Sequence, residues 1–409
     1  MKKTVLRDYA RLIVRTGANV QKGQEVLIQA ELDQPEFVTM VVEEAYKAGA
    51  SKVRVDWLHQ PLTRLHVRYQ TEKTLSEVTD WELEKIRHRV KTLPANIYLV
   101  SEDPDGLKNV NQKKYGKAMQ KRGMIIKPLR DEMENKYQWC IAAVPGVKWA
   151  KKVFPNEPKG RAVEKLWQCI LEASRATEDA VAAWEAHNND LHRRADYLNS
   201  LGLRELRYHA GNGTDFRVGL IPDACFMGGS EPLPTTGVIY NPNIPTEEIF
   251  VSPKSGDADG IVYSSKPLSY QGALITDFSI RFENGKAVEV HARENEELLR
   301  HLISMDEGSS KLGECALVPY HSPISEQNIL YYNTLFDENA ACHLALGMGF
   351  ANCIRDYEKY TLEECRAKGI NDSIVHEDFM IGTPDLSIDG VTEDGRIIPI
   401  FRNGDWAFD

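Results

Sequence analysis

No stretch of this 409-residue sequence approaches the roughly 18 apolar residues that a membrane-spanning helix needs. The opening segment, MKKTVLRDYARLIVRTG, carries charges inside its only apolar stretch, so it does not read as a secretory signal. CxxC pairs are absent. The seven cysteines (Cys140, Cys169, Cys225, Cys315, Cys342, Cys353 and Cys365) are odd in number and scattered. That excludes a disulfide framework and a zinc ribbon, and it places the chain in a reducing compartment, the cytoplasm. Basic charge is in short supply: 50 Lys and Arg against 60 Asp and Glu give a formal net charge of −10 and a pI near 5.7. Nucleic acid and anionic membrane surfaces select basic faces, so neither is expected as a partner. The acidic balance serves solubility, and acidic walls also attract cations. HExxH, GxSxG and GxxxxGK[ST] are missing, and the glycine pairs at Gly211–Gly213 and Gly228–Gly229 make no dinucleotide fingerprint. Internal repeats and low-complexity segments are missing too.

What is present is the composition of an ordinary globular chain, 42% hydrophobic and 27% charged, long enough for two domains. In the N-terminal third, Leu6, Tyr9, Ala10, Ile13 and Val14 recur at helical spacing, with Gly17 placed to stop the helix. Residues 25–30 (EVLIQA) predict a buried strand. Pro35 opens a helix with an apolar stripe of Phe37, Val38, Val41, Val42, Ala45 and Tyr46 that ends at Gly49. Residues 52–57, 96–100 and 138–144 read as further strands, with helical sequence running to about residue 92. Strands separated by helices predict an α/β domain with a mostly parallel sheet over residues 1–200. Its last part, about 160–200, is a helical connector. His187 and His192 fall there at i, i+5, facing different ways as surface residues.

Beyond residue 200 the pattern changes. Asn212-Gly213, Asn284-Gly285 and Asp394-Gly395 each lie between strand-like runs, and such dipeptides are strong hairpin signals. Residues 274–282 and 286–292 form the clearest pair, with Phe278, Ile280 and Phe282 alternating with Ser279 and Arg281. Residues 201–409 therefore predict an α+β domain rich in antiparallel strands.

Acids and histidines stand in unusually apolar settings within this second half. In NDSIVHEDFMIG, an extended chain puts His376 and Asp378 on one face, within reach of a single ion. In LFDENAACHLALG, Asp337 is placed to cap a helix carrying Ala340, Ala341, Leu344 and Leu346, with His343 among small residues; a core histidine on a carbonyl is the plainer reading. Glu314 precedes the apolar run Ala316, Leu317 and Val318, and Glu247 and Glu248 precede Ile249, Phe250 and Val251. A carboxylate buried without a partner is very costly, and a bound dication would satisfy all these sites at once.

At these residues the sequence resembles the thermophilic aminopeptidase family, the group of aminopeptidases T and S and PepS-like enzymes. The matching stretches are NIPTEEIFVSP, GDADGIVYSSKPLSYQG, LGECALVP, NTLFDENAACHLALG and NDSIVHEDFMIGTPDLSIDG, with LIVRTGANVQKGQEVLIQA and EEAYKAGASKVRVDWL near the start. The resemblance covers essentially the whole chain. It implies a cytoplasmic exopeptidase with two divalent metal ions, acting on small peptides with a free amino terminus, and a homodimer whose α/β domain roofs the site. Carried over, the metal ligands are Glu248, Glu314, His343, His376 and Asp378, with Glu314 bridging both ions and with Glu248 and Glu314 also counted in the catalytic centre. Glu247 is a candidate general base or amine anchor. Carboxylate and imidazole donors suit Zn²⁺, Co²⁺ or Mn²⁺. Cys315 and Cys342 adjoin proposed ligands but read as core residues.

One position departs from the family pattern. Where the family carries an active-site tyrosine, seven residues after the histidine of HLALGMGF, Phe350 stands here. Phenylalanine keeps the shape and loses the hydroxyl; Tyr331, Tyr332 and Tyr357 are candidates to replace it. Two other readings therefore stay open: a two-metal hydrolase of another amide or ester, and a catalytically impaired metal-bound peptide-binding protein.

Overall fold

A computed structural model describes residues 1–176 and 179–408. The chain divides into two compact units, Met1–His187 with Ser230–Thr246, and Asn188–Gly229 with Glu247–Asp409.

The first unit is built on a parallel sheet. Its strands, in spatial order, are Asn243–Ile244, Trp139–Ala143, Ala95–Val100, Glu25–Glu31 and Lys52–Leu58, every neighbour parallel. Four of them are those expected from the sequence. The fifth, only two residues long, comes from a distant part of the chain and carries no local signal. Helices Lys3–Leu12, Pro35–Ala48, Gln60–Tyr69 and Asp80–Thr92 fill the intervals. Tyr9, Phe37 and Trp167 pack ring against ring in the core, with ring centroids 5.5–6.1 Å apart. The first helix stops at Gly17, as its sequence suggests. It widens into a π turn over Ile13–Gly17, and a Cβ at Gly17 would lie 2.5 Å from Cys140 Sγ. That glycine ends the helix and also permits close packing. The expected connector contains helices Lys159–Ala173 and Ala180–Ser200; Thr177 and Glu178, between them, lie outside the described residues. His187 is half-buried rather than at the surface, its Nε2 facing the Thr246 carbonyl at 2.7 Å.

The second unit contains two antiparallel sheets. The larger has nine strands, and within it Ala273–Glu283 and Lys286–Glu294 form the expected hairpin, with Asn284 and Gly285 both at positive φ in the turn. The smaller runs His376–Met380, His343–Gly347, Leu312–Leu317, Ile249–Val251, Met227–Gly228. Ile249, Val251, Cys315, Leu317, Leu344, Leu346 and Phe379 of this sheet join Leu206, Tyr208, Phe216, Val218 and Ile280 of the larger one in a single buried cluster. Strand alternation then obliges the residues between them to face the other way.

One local expectation fails here. His343 does not lie on a helix. The helix opened at Thr334 ends at Glu338, and His343–Gly347 is a fully buried strand. Alanine and leucine favour helices intrinsically, but this segment is paired on both edges, and tertiary burial overrides so weak a preference. Asp337 still caps, in another manner: its carboxylate accepts the Tyr331 and Asn333 amides at 2.8 and 3.0 Å. Among the described residues no helix is long and apolar enough to cross a membrane.

Candidate metal centre

The register of the smaller sheet assembles the site. Ala316 pairs with His343, Glu314 with Ala345, Ala345 with Asp378, and Gly347 with His376. On the next strand Phe250 pairs with Ala316, and Glu248 lies two residues before it, on the same side by alternation. Glu248, Glu314, His343, His376 and Asp378 thus share the face opposite the core. The middle positions of that face are Ala316, Ala345 and Gly347, residues small enough to leave room above the sheet. Gly347 is held at φ 103°, and a Cβ there would meet the Val375 carbonyl oxygen at 2.1 Å.

The side chains converge in two groups. Donor atoms of Glu248, Glu314 and His343 lie within 4.8 Å of one another, as do those of Glu314, His376 and Asp378, and Glu314 belongs to both. All but His376 are buried; a quarter of the His376 side chain is open to solvent.

Both imidazoles are set to present a lone pair to this space. Nδ1 of His343 lies 3.1 Å from the Ala341 carbonyl oxygen, and Nδ1 of His376 lies 2.7 Å from that of Met348. A carbonyl oxygen only accepts, so each Nδ1 carries the proton and each neutral ring turns its lone pair outward at Nε2. Those Nε2 atoms face carboxylates: Glu248 Oε2 at 3.1 Å from His343, Glu314 Oε2 at 3.1 Å and Asp378 Oδ1 at 3.4 Å from His376. A lone pair against a carboxylate oxygen is repulsive unless positive charge stands at the nitrogen, either a proton or a metal ion. Orientation of a ligand histidine by a backbone carbonyl is the common second layer of metal sites. Among the described residues Asp378 Oδ1 is buried and accepts no hydrogen bond, with His376 Nε2 3.4 Å away. The residues present therefore fit a bound dication.

The titration behaviour follows from the same crowding. Burial pushes the Glu314 carboxyl up to about 7; His376 opposes this, while Asp378 and Glu248 add to it. Burial alone would lower His343, but Glu248, Asp378 and Glu314 outweigh it and raise the ring to about 10. His376 is raised well above its ordinary value by Asp378 and Glu314 against the same burial. Protons here do the charge compensation that a metal ion would do.

Glu247 is buried and its amide donates to Asn339 Oδ1 at 2.7 Å, but it belongs to neither donor group. Glu338 is a site residue that sequence reasoning does not single out. Burial, then Asp378 and Glu248, hold its carboxyl well above the usual range. A signal was available, since Glu338 adjoins Asp337 in an otherwise apolar stretch, two acids where one cap suffices. Phe350 sits against the centre, its ring 4.8 Å from the His376 ring and 5.7 Å from that of Phe250. Of the candidate tyrosines, Tyr331 is buried with its hydroxyl on Gln327, and Tyr357 packs against the small cluster that contains Ile221, Ala351 and Ile354. Cys315 joins the core face, and Cys342 Sγ bonds the Val318 carbonyl at 3.2 Å, so no thiolate enters the donor set.

The chain is similar to known proteins along nearly all of its length. Aminopeptidase AmpS of Bacillus subtilis is 41% identical over 405 residues, 98% of each chain. Aminopeptidase T of Thermus thermophilus is 38% identical over 407 residues, 99% of each chain. Aminopeptidase PepS of Streptococcus thermophilus is 37% identical over 408 residues, 99% of this chain and 98% of the relative. The solved structure of wild-type AmpT from Thermus thermophilus superposes with a TM-score of 0.88 at 37% identity, covering 99% of both chains. The family profile described as thermophilic metalloprotease (M29) matches residues 2–406. With its whole length matched and two histidines and three carboxylates convergent on one sheet face, the chain belongs to the M29 family of thermophilic metalloproteases.

Proposed function

We propose that this chain is a dinuclear metal-dependent aminopeptidase that releases N-terminal residues from small peptides by way of a metal-bridging water. The observation that carries the reading is the double membership of Glu314, one carboxylate shared by two donor groups. Full-length similarity to proteins named aminopeptidases supports the reaction class.

Glu248 and His343 would hold one ion, His376 and Asp378 the other, and Glu314, a member of both donor groups, would serve both. Bound there, two dications supply a water of lowered pKa and a Lewis acid for the scissile carbonyl. The all-oxygen and imidazole donor set suits Zn²⁺, Co²⁺ or Mn²⁺. Glu247, fixed through its amide on Asn339, serves as general base or as anchor for the substrate's amine. The small residues at Ala345 and Gly347 keep the floor of the site open, and Phe350 closes one side as an apolar wall. The reading includes a homodimer, implied by the resemblance, and a cytoplasmic setting, in keeping with the free thiols.

The test is hydrolysis of aminoacyl-p-nitroanilides by the purified protein as isolated, after EDTA, and after adding back Co²⁺, Zn²⁺ or Mn²⁺. Turnover abolished by EDTA and restored by a dication supports the proposal, and loss of turnover on N-acetylation of the substrate separates an aminopeptidase from a general amidase. Phe350 favours one alternative, a metal-bound peptide-binding protein. A protein that binds two ions and turns over nothing would establish that reading instead.

A further inference from the structure

Phe250 stands between Ile249 and Val251, and both of those neighbours enter the buried cluster shared by the two sheets. Alternation turns Phe250 to the opposite face, the one that carries the candidate metal ligands. Its strand partners are Met227 on one side and Ala316 on the other, and Ala316 in turn pairs with His343. Met227, Phe250, Ala316 and His343 therefore make one row across four strands. The ring of Phe250 meets that of Phe350 edge to face, with centroids 5.7 Å apart and planes at 74°. Phe350 in turn lies 4.8 Å, ring to ring, from His376. Met227, Phe250 and Phe350 are each partly open to solvent. An apolar wall thus starts in contact with one candidate ligand, His376, and ends on the row that holds another, His343.

Neighbouring strands lie about 4.8 Å apart, so Phe250 and His343 are about 10 Å apart across Ala316. The methyl group of Ala316 leaves a depression between them. A peptide bound through its amine and its first carbonyl carries its first side chain on the carbon that joins those two groups. That side chain therefore lies within its own length of the metal ligands, where the wall begins. A large apolar side chain laid on the wall takes its own surface and the open ring faces out of water together. A charged one gives up hydration and finds no polar partner on the rings.

We propose that Phe250 and Phe350 receive the side chain of the substrate's N-terminal residue above Ala316, so that the enzyme selects peptides beginning with a large apolar residue. The inference rests on the aminopeptidase reading and names its substrate class. Its measure is kcat/KM of the metal-loaded protein for leucyl-p-nitroanilide against the alanyl and lysyl compounds. The extra buried carbons of leucine make the leucyl-to-alanyl ratio about tenfold or more. Phe250→Ala lowers that ratio several-fold and raises 2-naphthylalanyl-p-nitroanilide relative to leucyl, because the vacated space admits a larger side chain. Phe250→Leu, the milder change, falls between wild type and Phe250→Ala in both ratios and carries the test if Phe250→Ala does not fold. A purely structural role would lower all substrates alike. Calorimetry with L-leucinol and L-alaninol, which cannot be cleaved, reports the same preference at equilibrium, with leucinol bound more tightly by wild type and its advantage reduced in the variants. A wild type that prefers the alanyl or lysyl compound, or variants with unchanged ratios, overturns the pocket assignment while leaving the aminopeptidase standing. No turnover of any of these compounds by wild type overturns both.

Discussion

Glu314 and Asp378 stand opposite the same residue, Ala345, from the two strands that flank it. Strands lie about 4.8 Å apart, so two carboxylates separated by one strand meet only by reaching over whatever side chain lies between. A methyl group allows it. Ala345→Leu is expected to abolish metal uptake, read by elemental analysis after dialysis, while circular dichroism still shows the fold. Overpacking a buried site adds a stability loss of about 1–3 kcal/mol. Two ions retained by this variant would mean that the carboxylates meet by another route.

The shared position of Glu314 makes ligand substitutions unequal. Asp378→Ala or His376→Ala should lower the metal content from two ions per chain to one and reduce kcat by at least about 10²–10³, on the scale of losing a principal electrostatic element. Glu314→Gln should lower the affinity for both ions. Full activity in any of the three would disprove the ligand set.

Phe350 is a simple target for gain of function. Its ring already lies against His376, so Phe350→Tyr adds one hydroxyl at the edge of the centre with little change of shape. The expected outcome is a rise in kcat of about tenfold or more with KM little altered, since a donor to a developing oxyanion acts in the transition state. An unchanged kcat would show that the hydroxyl has no function in this chain.

The first unit contains a pH-dependent weakness remote in sequence from the candidate metal ligands. Burial, then Glu102 and Asp33, push the Glu31 carboxyl from 4.5 up to about 7. The folded state therefore binds this proton more tightly than the unfolded chain does. Stability from this group is complete below about pH 4.5, falls as pH rises from there to about 7, and stays reduced above. Glu31→Gln should melt higher than wild type at pH 8, by a difference of about 1–3 kcal/mol, and equally at pH 4.5. Equal melting at both values would show that Glu31 is not held in its protonated form.

Much of the site was legible because strand alternation is a local property. His376 and Asp378 are two apart in an extended run, so their common side could be read from the sequence before any partner strand was known. The same rule turned Cys315 away from Glu314. His343 was read on the wrong element because leucine and alanine carry helical preference, whereas its strand exists through pairing with Ala316, 27 positions before it, and Met380, 37 after. Glu338 stood unremarked beside Asp337, although a second acid in an apolar stretch where one cap suffices was a local signal that it faces something other than the helix end.

By itself the sequence determined the two architectures, parallel with helices and then antiparallel, because period and turn chemistry act over a few residues. It also determined which acids and histidines had to find partners, because their apolar neighbours commit them to burial. Only the tertiary structure decided that Glu314 joins both groups and that each imidazole turns Nε2 inward. Those relationships depend on inter-strand register and on carbonyls such as Ala341 and Met348, and register is set by long-range pairing that no local window contains.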